Sequence, residues 1–169
     1  MIATNKNLSE TIDDFLVYQK SIRNLSDNTI ESYKKNLIYL NDYVAQKYLV
    51  QNDKVLLENI SLQDLRFCVG CLSKEKMSPA TINQFIASVR TFFAYCKRYD
   101  YIKSNPALEL KTVKLPKRIP RYMTEEEVNS LCDTPEEKKL LWQERDKALF
   151  EMFYSSGCRV SEIAQLKFS

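Results

Sequence analysis

The fold is decided by residues 78–98, which read SPATINQFIASVRTFFAYCKR. Ser78 followed by Pro79 predicts the start of a helix, because a serine hydroxyl caps free N–H groups and proline fits the first helical position. Apolar side chains then recur every three or four residues, at Ile82, Phe85, Ile86, Val89, Phe92, Phe93 and Cys96. This spacing predicts a long helix whose apolar face belongs to a hydrophobic core.

The same periodicity predicts three helices ahead of this one. Their expected N-caps are Ser9, Ser26 and Ser61, and a polar connection is expected at residues 51–59. Four amphipathic helices in succession favour a compact bundle, which we expect to fill residues 1–110. The sequence therefore predicts an all-α fold.

The rest of the chain divides into a linker and a second helical region. Residues 111–123 contain two prolines and only positive charges, so we expect a basic linker there. Thr124 and Glu127 form a capping box that opens a helix, and a further helix is expected from about Glu144 to Ser156. Gly157 can adopt the left-handed conformation that ends it. Residues 124–169 are therefore expected to begin a second domain.

Composition excludes several classes of function. The chain of 169 residues is 44% hydrophobic, and it contains no apolar run of the roughly 20 residues that span a bilayer. Its beginning does not resemble a signal peptide, and its five cysteines lie in apolar patterns. We therefore expect reduced, buried thiols in a cytoplasmic protein without a membrane partner.

Metal and nucleotide chemistry are also disfavoured. The pair Cys68 and Cys71 has no second pair and no histidine with which to complete a zinc site, so we interpret both as core residues. Without histidine, a Ser-His-Asp or Cys-His site cannot be built, and the two glycines do not form a phosphate-binding loop. We expect neither a metal nor a cofactor.

Positive charge is concentrated in one part of the chain. Residues 1–77 carry no net charge, residues 78–121 carry +7, and residues 122–169 carry −4. Such a concentration indicates a surface that binds a polyanion, and it is also compatible with a solubilising surface that includes a basic tether. The small and amide side chains around Arg90 favour nucleic acid.

A specific motif lies near the end of the chain. Residues 154–163 read YSSGCRVSEI, with Leu166 three residues further on, and the stretch resembles the first catalytic box of the tyrosine recombinases. Upstream, Ser26 to Thr29 with Tyr33 resembles the start of that family's second DNA-clamping helix. Residues 78–83 with Arg90 resemble its fourth. With the clamping domain expected first in the chain, the arrangement resembles the Xer type or a simple integrase more than a large phage integrase.

The resemblance implies site-specific DNA recombination without metal or nucleotide. In this family a tyrosine attacks the scissile phosphate and forms a 3′-phosphotyrosyl link. By motif position, Arg159 is implied to bind the scissile phosphate, and Glu162 is implied to brace the arginine box. A guanidinium suits this role because it is planar, permanently charged and bidentate. Without the flanking match, Arg159 and Glu162 would be interpreted as a surface ion pair.

The family's nucleophilic tyrosine, its catalytic lysine and its second arginine lie downstream of this box. The ten tyrosines of the chain do not match the nucleophile's position. We therefore expect only the start of a catalytic domain here, and a chain that binds DNA without cleaving it. A covalent adduct with a suicide DNA substrate would contradict this expectation.

The resemblance also implies double-stranded DNA as the partner, with the full-length protein forming tetramers with other recombinase subunits on it. Chromosome dimer resolution and mobile-element integration both remain open. In the bundle, Asn83 and Gln84 are expected to read base edges, and Arg90 and the lysines to contact phosphates. The full set of expected DNA contacts is Thr29, Lys34, Lys35, Thr81, Asn83, Gln84, Arg90, Lys97, Arg98, Lys111, Lys114, Lys117 and Arg118.

Two other interpretations of the same features stay open. A non-enzymatic helical DNA-binding protein or transcriptional regulator would use the same basic stretch without an arginine behind a glycine turn. A helical protein-interaction module would carry the basic stretch incidentally, and its binding would not depend on counterion release.

Overall fold

The computed structural model describes residues 6–116, 119–139 and 141–167. The chain divides into two compact units, Met1–Pro116 (unit 1) and Lys117–Ser169 (unit 2). In the described ranges the regular structure is helical, apart from an isolated bridge between Asn7 and Leu56. The predicted all-α class is therefore confirmed.

Unit 1 contains the four predicted helices. They are α1 (Leu8–Ser21), α2 (Asp27–Tyr48), α3 (Leu62–Lys74) and α4 (Pro79–Arg98). Two short 3₁₀ turns, Asn52–Lys54 and Leu57–Asn59, lie between α2 and α3.

The helix starts follow the predicted caps with one exception. The Ser78 hydroxyl accepts a hydrogen bond from the backbone N–H of Thr81 at 3.1 Å. At α3, the carboxylate of Asp64 accepts from the backbone N–H of Ser61 at 2.8 Å, which completes a capping box. The prediction for α1 is wrong, because the Asn7 side chain caps the helix by accepting from the N–H of Ser9 at 2.8 Å. Ser9 lies inside the first turn.

The core of unit 1 is built on α4. All seven of its predicted apolar positions are buried, and Phe92 contacts Phe15 edge-on with ring centroids 5.5 Å apart. The connection predicted to be polar also contributes, since Val55, Leu57 and Ile60 are buried against the same core. Its polar residues at 51–54 are exposed, and the apolar residues that follow them anchor the connection.

The segment after α4 is also part of the core. Ile102, Ala107 and Leu110 are buried among the residues of unit 1, and Val113 packs partly against them. Unit 1 therefore continues through the first residues of the predicted linker, so Lys111 and Lys114 lie on a folded unit. The division between the two units falls within that linker, after Pro116.

Unit 2 contains three helices in its described residues. These are α5 (Glu125–Glu137), α6 (Gln143–Ser156) and α7 (Val160–Ala164). The predicted capping box forms, with the N–H of Glu127 donating to the Thr124 hydroxyl at 3.2 Å and the N–H of Thr124 donating back to the Glu127 carboxylate at 3.0 Å. Gly157 ends α6 in the left-handed conformation at φ +64°, as predicted.

The cysteines are free thiols with different exposures. Cys68 and Cys96 are fully buried, and burial raises the pKa of each thiol to about 12. Cys71 and Cys132 are half-buried and Cys158 is exposed, so the prediction that all five thiols are buried is wrong for these three. In the ranges that the structure describes, no helix is both long and apolar enough to cross a bilayer. The same ranges contain no cluster of three or more potential metal ligands.

Candidate nucleic-acid interface

The polar side of α4 consists of three adjacent lines of residues, each with a spacing of seven positions, or about two helical turns. The lines are Asn83, Arg90 and Lys97; Ala80, Ala87 and Ala94; and Gln84, Thr91 and Arg98. The three alanines are exposed, so a shallow strip of small side chains runs between two polar lines. We call this surface the α4 face.

The first polar line holds the segment that follows α4. The amide of Asn83 donates to the carbonyl of Val113 at 2.9 Å and accepts from the N–H of Val113 at 2.8 Å. The guanidinium of Arg90 donates to the carbonyl of Leu110. Asn83, predicted to read bases, and Arg90, predicted to bind phosphate, therefore have backbone partners in this structure. Lys97 is exposed on the same line.

The second polar line meets α2. The amide of Gln84 donates to the Ser32 hydroxyl at 2.7 Å. One turn further on, the amide of Asn36 donates to the hydroxyl of Ser88 at 2.8 Å, and both residues are buried. These bonds tie the beginning of α2 to the middle of α4.

The other expected DNA contacts on α2 and α4 lie near these lines. The Thr29 hydroxyl pairs with the Ser26 hydroxyl at 2.9 Å, and the Thr81 hydroxyl pairs with that of Ser78 at 2.8 Å. Four of the expected lysines are exposed: Lys34, Lys35, Lys111 and Lys114. Lys117 and Arg118 lie outside the described residues.

A cleft brings together parts of α1, α2 and α4. Its volume is about 490 Å³, and its lining includes Gln19, Arg23, Thr29, Tyr33 and Arg98. Thr29 and Arg98 were expected at the interface, and the structure places both in this cleft. Sequence reasoning missed Gln19 and Arg23, since no motif marks them and the cleft is assembled from three separate segments.

Aromatic side chains form a rigid wall of this cleft. The ring of Tyr95 contacts Tyr18 at 5.1 Å, Phe15 at 5.3 Å and Tyr99 at 4.8 Å between centroids. Burial, followed by a hydrogen bond with Tyr101, raises the pKa of Tyr95 above its usual value. The Tyr95 hydroxyl is therefore uncharged at neutral pH, and it offers no negative charge to repel an anion.

Several other cations have acidic partners. Lys6 pairs with Asp14 at 2.9 Å, and Lys20 pairs with Asp27. Lys47 pairs with Asp64, whose side chain is only 1% exposed. Within the described part of the chain, the side chains of Arg23 and Arg98 have no carboxylate partner and no hydrogen bond, although the backbone N–H of Arg23 donates to the carbonyl of Tyr18 at 3.3 Å. Their charges are available to an external anion.

The predicted phosphate-binding arginine lies in unit 2. Arg159 precedes α7, its backbone N–H donates to Oε2 of Glu162 at 2.7 Å, and its guanidinium donates to Oε1 at 3.2 Å. The Arg159 side chain is 82% exposed and that of Glu162 is 52% exposed. An ion pair this exposed contributes about 0–1 kcal/mol, so the guanidinium can exchange Glu162 for a phosphate at little cost. Because α7 has only five residues, its own dipole adds little to this site.

Comparison with known proteins gives this geometry a context. The family model of the phage integrase N-terminal SAM-like domain matches residues 12–99, which comprise most of α1 and all of α2, α3 and α4. The chain belongs to this family. The α4 face and the cleft thus lie on an integrase SAM-like domain.

Relatives match both units. The tyrosine recombinase XerC of Treponema denticola is 33% identical over 94% of this chain, and that of Pelotomaculum thermopropionicum is 35% identical over 92%. The chain spans about half the length of these curated relatives. A crystal structure of a lambda integrase dimer bound to a core site is similar with a TM-score of 0.72, covering 98% of this chain and 43% of that one at 15% identity. This last similarity concerns the fold alone.

Proposed function

We propose that this chain acts in site-specific DNA recombination as part of an Xer-like tyrosine recombinase, and that unit 1 binds duplex DNA through the α4 face. The observation that carries the proposal is the match to tyrosine recombinases over both units, at 33% identity across 94% of the chain. The unpaired cations on the α2 and α4 side of unit 1 support the DNA-binding role.

The α4 face has the features of a surface for a duplex. Its exposed alanines let a backbone approach closely, and Arg98 and Lys97 on the two sides can contact phosphates. Gln84 is the exposed amide of this face and the better candidate for reading a base edge, because its bond to Ser32 is at the surface. Asn83 and Arg90 contribute by positioning Lys111 and Lys114, whose segment they hold.

In unit 2, Arg159 serves as a ligand of the scissile phosphate, and Glu162 positions it. One hydrogen bond from the Arg159 backbone N–H and one from its guanidinium keep Glu162 beside the arginine before DNA arrives. A bidentate donor that then turns to the phosphate stabilises negative charge that develops there during strand exchange. The whole protein carries out this chemistry with further residues, as a tetramer on DNA with partner subunits, in the cytoplasm.

The DNA-binding role is tested by titrating a fluorescein-labelled duplex with the chain and following anisotropy between about 50 and 200 mM salt. Each phosphate contact adds about 0.9 to the salt slope, so three contacts would weaken the affinity about 40-fold over this range. Binding whose affinity does not change with salt would contradict the proposal and favour a protein-interaction module.

The recombinase role is separated from that of a non-enzymatic DNA-binding protein by Arg159→Ala. Two duplexes with a recombinase core site are compared, one native and one with a neutral methylphosphonate in place of the scissile phosphate. Arg159→Ala should lower the affinity for the native duplex and leave the affinity for the methylphosphonate duplex unchanged. An equal loss on both duplexes would contradict the assigned role of Arg159.

A further inference from the structure

We propose that the cleft between α1, α2 and α4 is a binding site for one backbone phosphate of duplex DNA, held by Arg23, Arg98 and Gln19. The proposal rests on the proposed DNA-binding function and adds a specific site to it. The three side chains come from two parts of the chain: Gln19 and Arg23 from the end of α1 and the residues just after it, and Arg98 from the end of α4.

The charge of the cleft suits an anion. Its lining includes two arginines and no acidic residue. In the part of the chain that the structure describes, both guanidinium groups lack a hydrogen-bond or ion-pair partner, and the carboxylate of Asp27 nearby in sequence is paired with Lys20. Two forked donors at one cleft match the tetrahedral oxygens of a phosphate.

Gln19 adds a polar group to the cleft. It is only 6% exposed and lines the cleft, and its side-chain amide makes no hydrogen bond among the described residues. Because this amide is not among the side-chain groups that are buried without a partner, it is reached by solvent and can exchange water for a ligand. The amide N–H₂ group of Gln19 therefore adds a third donor to the two guanidinium groups.

The remaining lining favours a phosphate over a base. The ring of Tyr95 is already in contact with Tyr18 and Tyr99, so it offers no free face for stacking. The hydroxyl of Thr91 donates to the carbonyl of Ala87 at 2.9 Å, so it lines the cleft with its donor already in use. The cleft is continuous with the line of Gln84, Thr91 and Arg98 on the α4 face, so a phosphate in it can belong to a duplex lying on that face.

The test compares Arg23→Gln and Arg98→Gln with Arg66→Gln, a control that makes the same charge change at an exposed position on α3 away from the cleft. Duplex affinity is measured by fluorescence anisotropy at several salt concentrations. We expect each cleft variant to lower the salt slope by about 0.9 and the affinity about eightfold at 0.1 M salt, and the control to leave both unchanged. Melting temperatures measured by circular dichroism check that each variant is folded.

Gln19→Leu provides a charge-neutral test. It removes the amide without changing the number of cations, so we expect an affinity about fivefold lower with an unchanged salt slope. The free variant should melt no lower than the wild type, because the amide has no partner to lose. An unchanged affinity would exclude Gln19 from the site.

The outcomes separate this inference from the proposed function. If the wild-type chain shows no salt-dependent duplex binding, the proposed function is wrong. If the wild type binds and both cleft variants behave like Arg66→Gln, only the phosphate site is wrong. A third measurement adds inorganic phosphate at constant ionic strength and follows the melting temperature. If phosphate stabilises the wild type but not Arg98→Gln, and Arg98→Gln binds the duplex as tightly as the wild type, the cleft binds a small anion and the proposal is overturned.

Discussion

The two units differ in how their hydrophobic side chains are used. Unit 1 buries aromatic and aliphatic side chains from four helices and from the segment after α4 in one core. In unit 2, the described hydrophobic residues that are buried are Val128 and Ile163. Leu141, Trp142 and Val160 are 87%, 58% and 71% exposed.

The difference is between a unit with a hydrophobic core of its own and a unit that exposes much of its apolar surface. Unit 1 buries enough apolar area to fold as a stable domain. Its polar α4 face lies outside this core and is free for binding. Unit 2 buries few of its large apolar side chains and presents Leu141, Trp142 and Val160 to solvent. We therefore expect the stability of this chain to reside in unit 1.

The largest expected effect on stability comes from removing one aromatic side chain from each unit. Phe92 is fully buried against Phe15 and Phe93, so Phe92→Ala should reduce the free energy of unfolding by about 3–5 kcal/mol. Trp142 contacts only the guanidinium of Arg145 among the described ring contacts, and Trp142→Ala should cost about 1 kcal/mol or less. Urea unfolding followed by circular dichroism measures both. Equal losses would contradict the comparison.

The two capping boxes offer a matched test. The Asp64 carboxylate accepts hydrogen bonds from Ser61, Lys47 and Tyr48 and is buried, so Asp64→Ala should cost about 2–3 kcal/mol. Glu127 makes the same kind of box in an exposed position, and Glu127→Ala should cost about 0.5–1 kcal/mol. Urea unfolding monitored separately for each unit measures both losses. A larger loss of unfolding free energy for Glu127→Ala than for Asp64→Ala would contradict the account.

Acid should weaken unit 1 through the same carboxylate. Burial alone would raise the pKa of Asp64, but hydrogen bonds from Lys47, Ser61 and Tyr48 outweigh it and lower the pKa below its usual 3.8. Because the pKa is lower in the folded state, this stabilisation is complete above about pH 4 and is lost as the pH falls through the folded-state value. The gap in melting temperature between the wild type and Asp64→Asn should therefore be constant from pH 7 to about pH 5 and shrink below pH 4. A difference in melting temperature that widens in acid would mean that folding raises the pKa of Asp64.

The most local expected effect concerns the segment after α4. Asn83→Ala removes both hydrogen bonds to the backbone of Val113 and should cost about 1 kcal/mol. Hydrogen exchange at the amide of Val113 should accelerate, and Gln84→Ala should leave it unchanged because Gln84 bonds to Ser32 instead. Unchanged exchange in Asn83→Ala would mean that other contacts hold this segment.

Local signals in the sequence predicted most of the fold. Ser61, Ser78 with Pro79, the Thr124 box and Gly157 act within a few residues of themselves, so their effects on the helix ends could be predicted from the sequence. The N-cap of α1 was missed because Asn7 and Ser9 are both good caps two positions apart. The anchored connection at Val55 and Leu57 was missed because its burial depends on distant helices.

The candidate site was harder to predict, because its bonds join distant residues. Asn83 and Val113 are 30 residues apart, and periodicity on α4 alone could not show that the segment after Leu110 returns to that side of the helix. The expectation that Asn83 reads bases stays a prediction, as does the role of Arg159. The cleft was invisible for the same reason, since Arg23 and Arg98 come together only in the folded bundle.

The most direct test of the account is backbone amide chemical-shift mapping of the isotope-labelled chain during titration with duplex DNA. The central claim places the duplex on the α4 face and at the adjoining cleft. We predict that the largest shifts fall at residues 19–33 and 84–98. Shifts concentrated instead on α3, with none at these residues, would contradict the account.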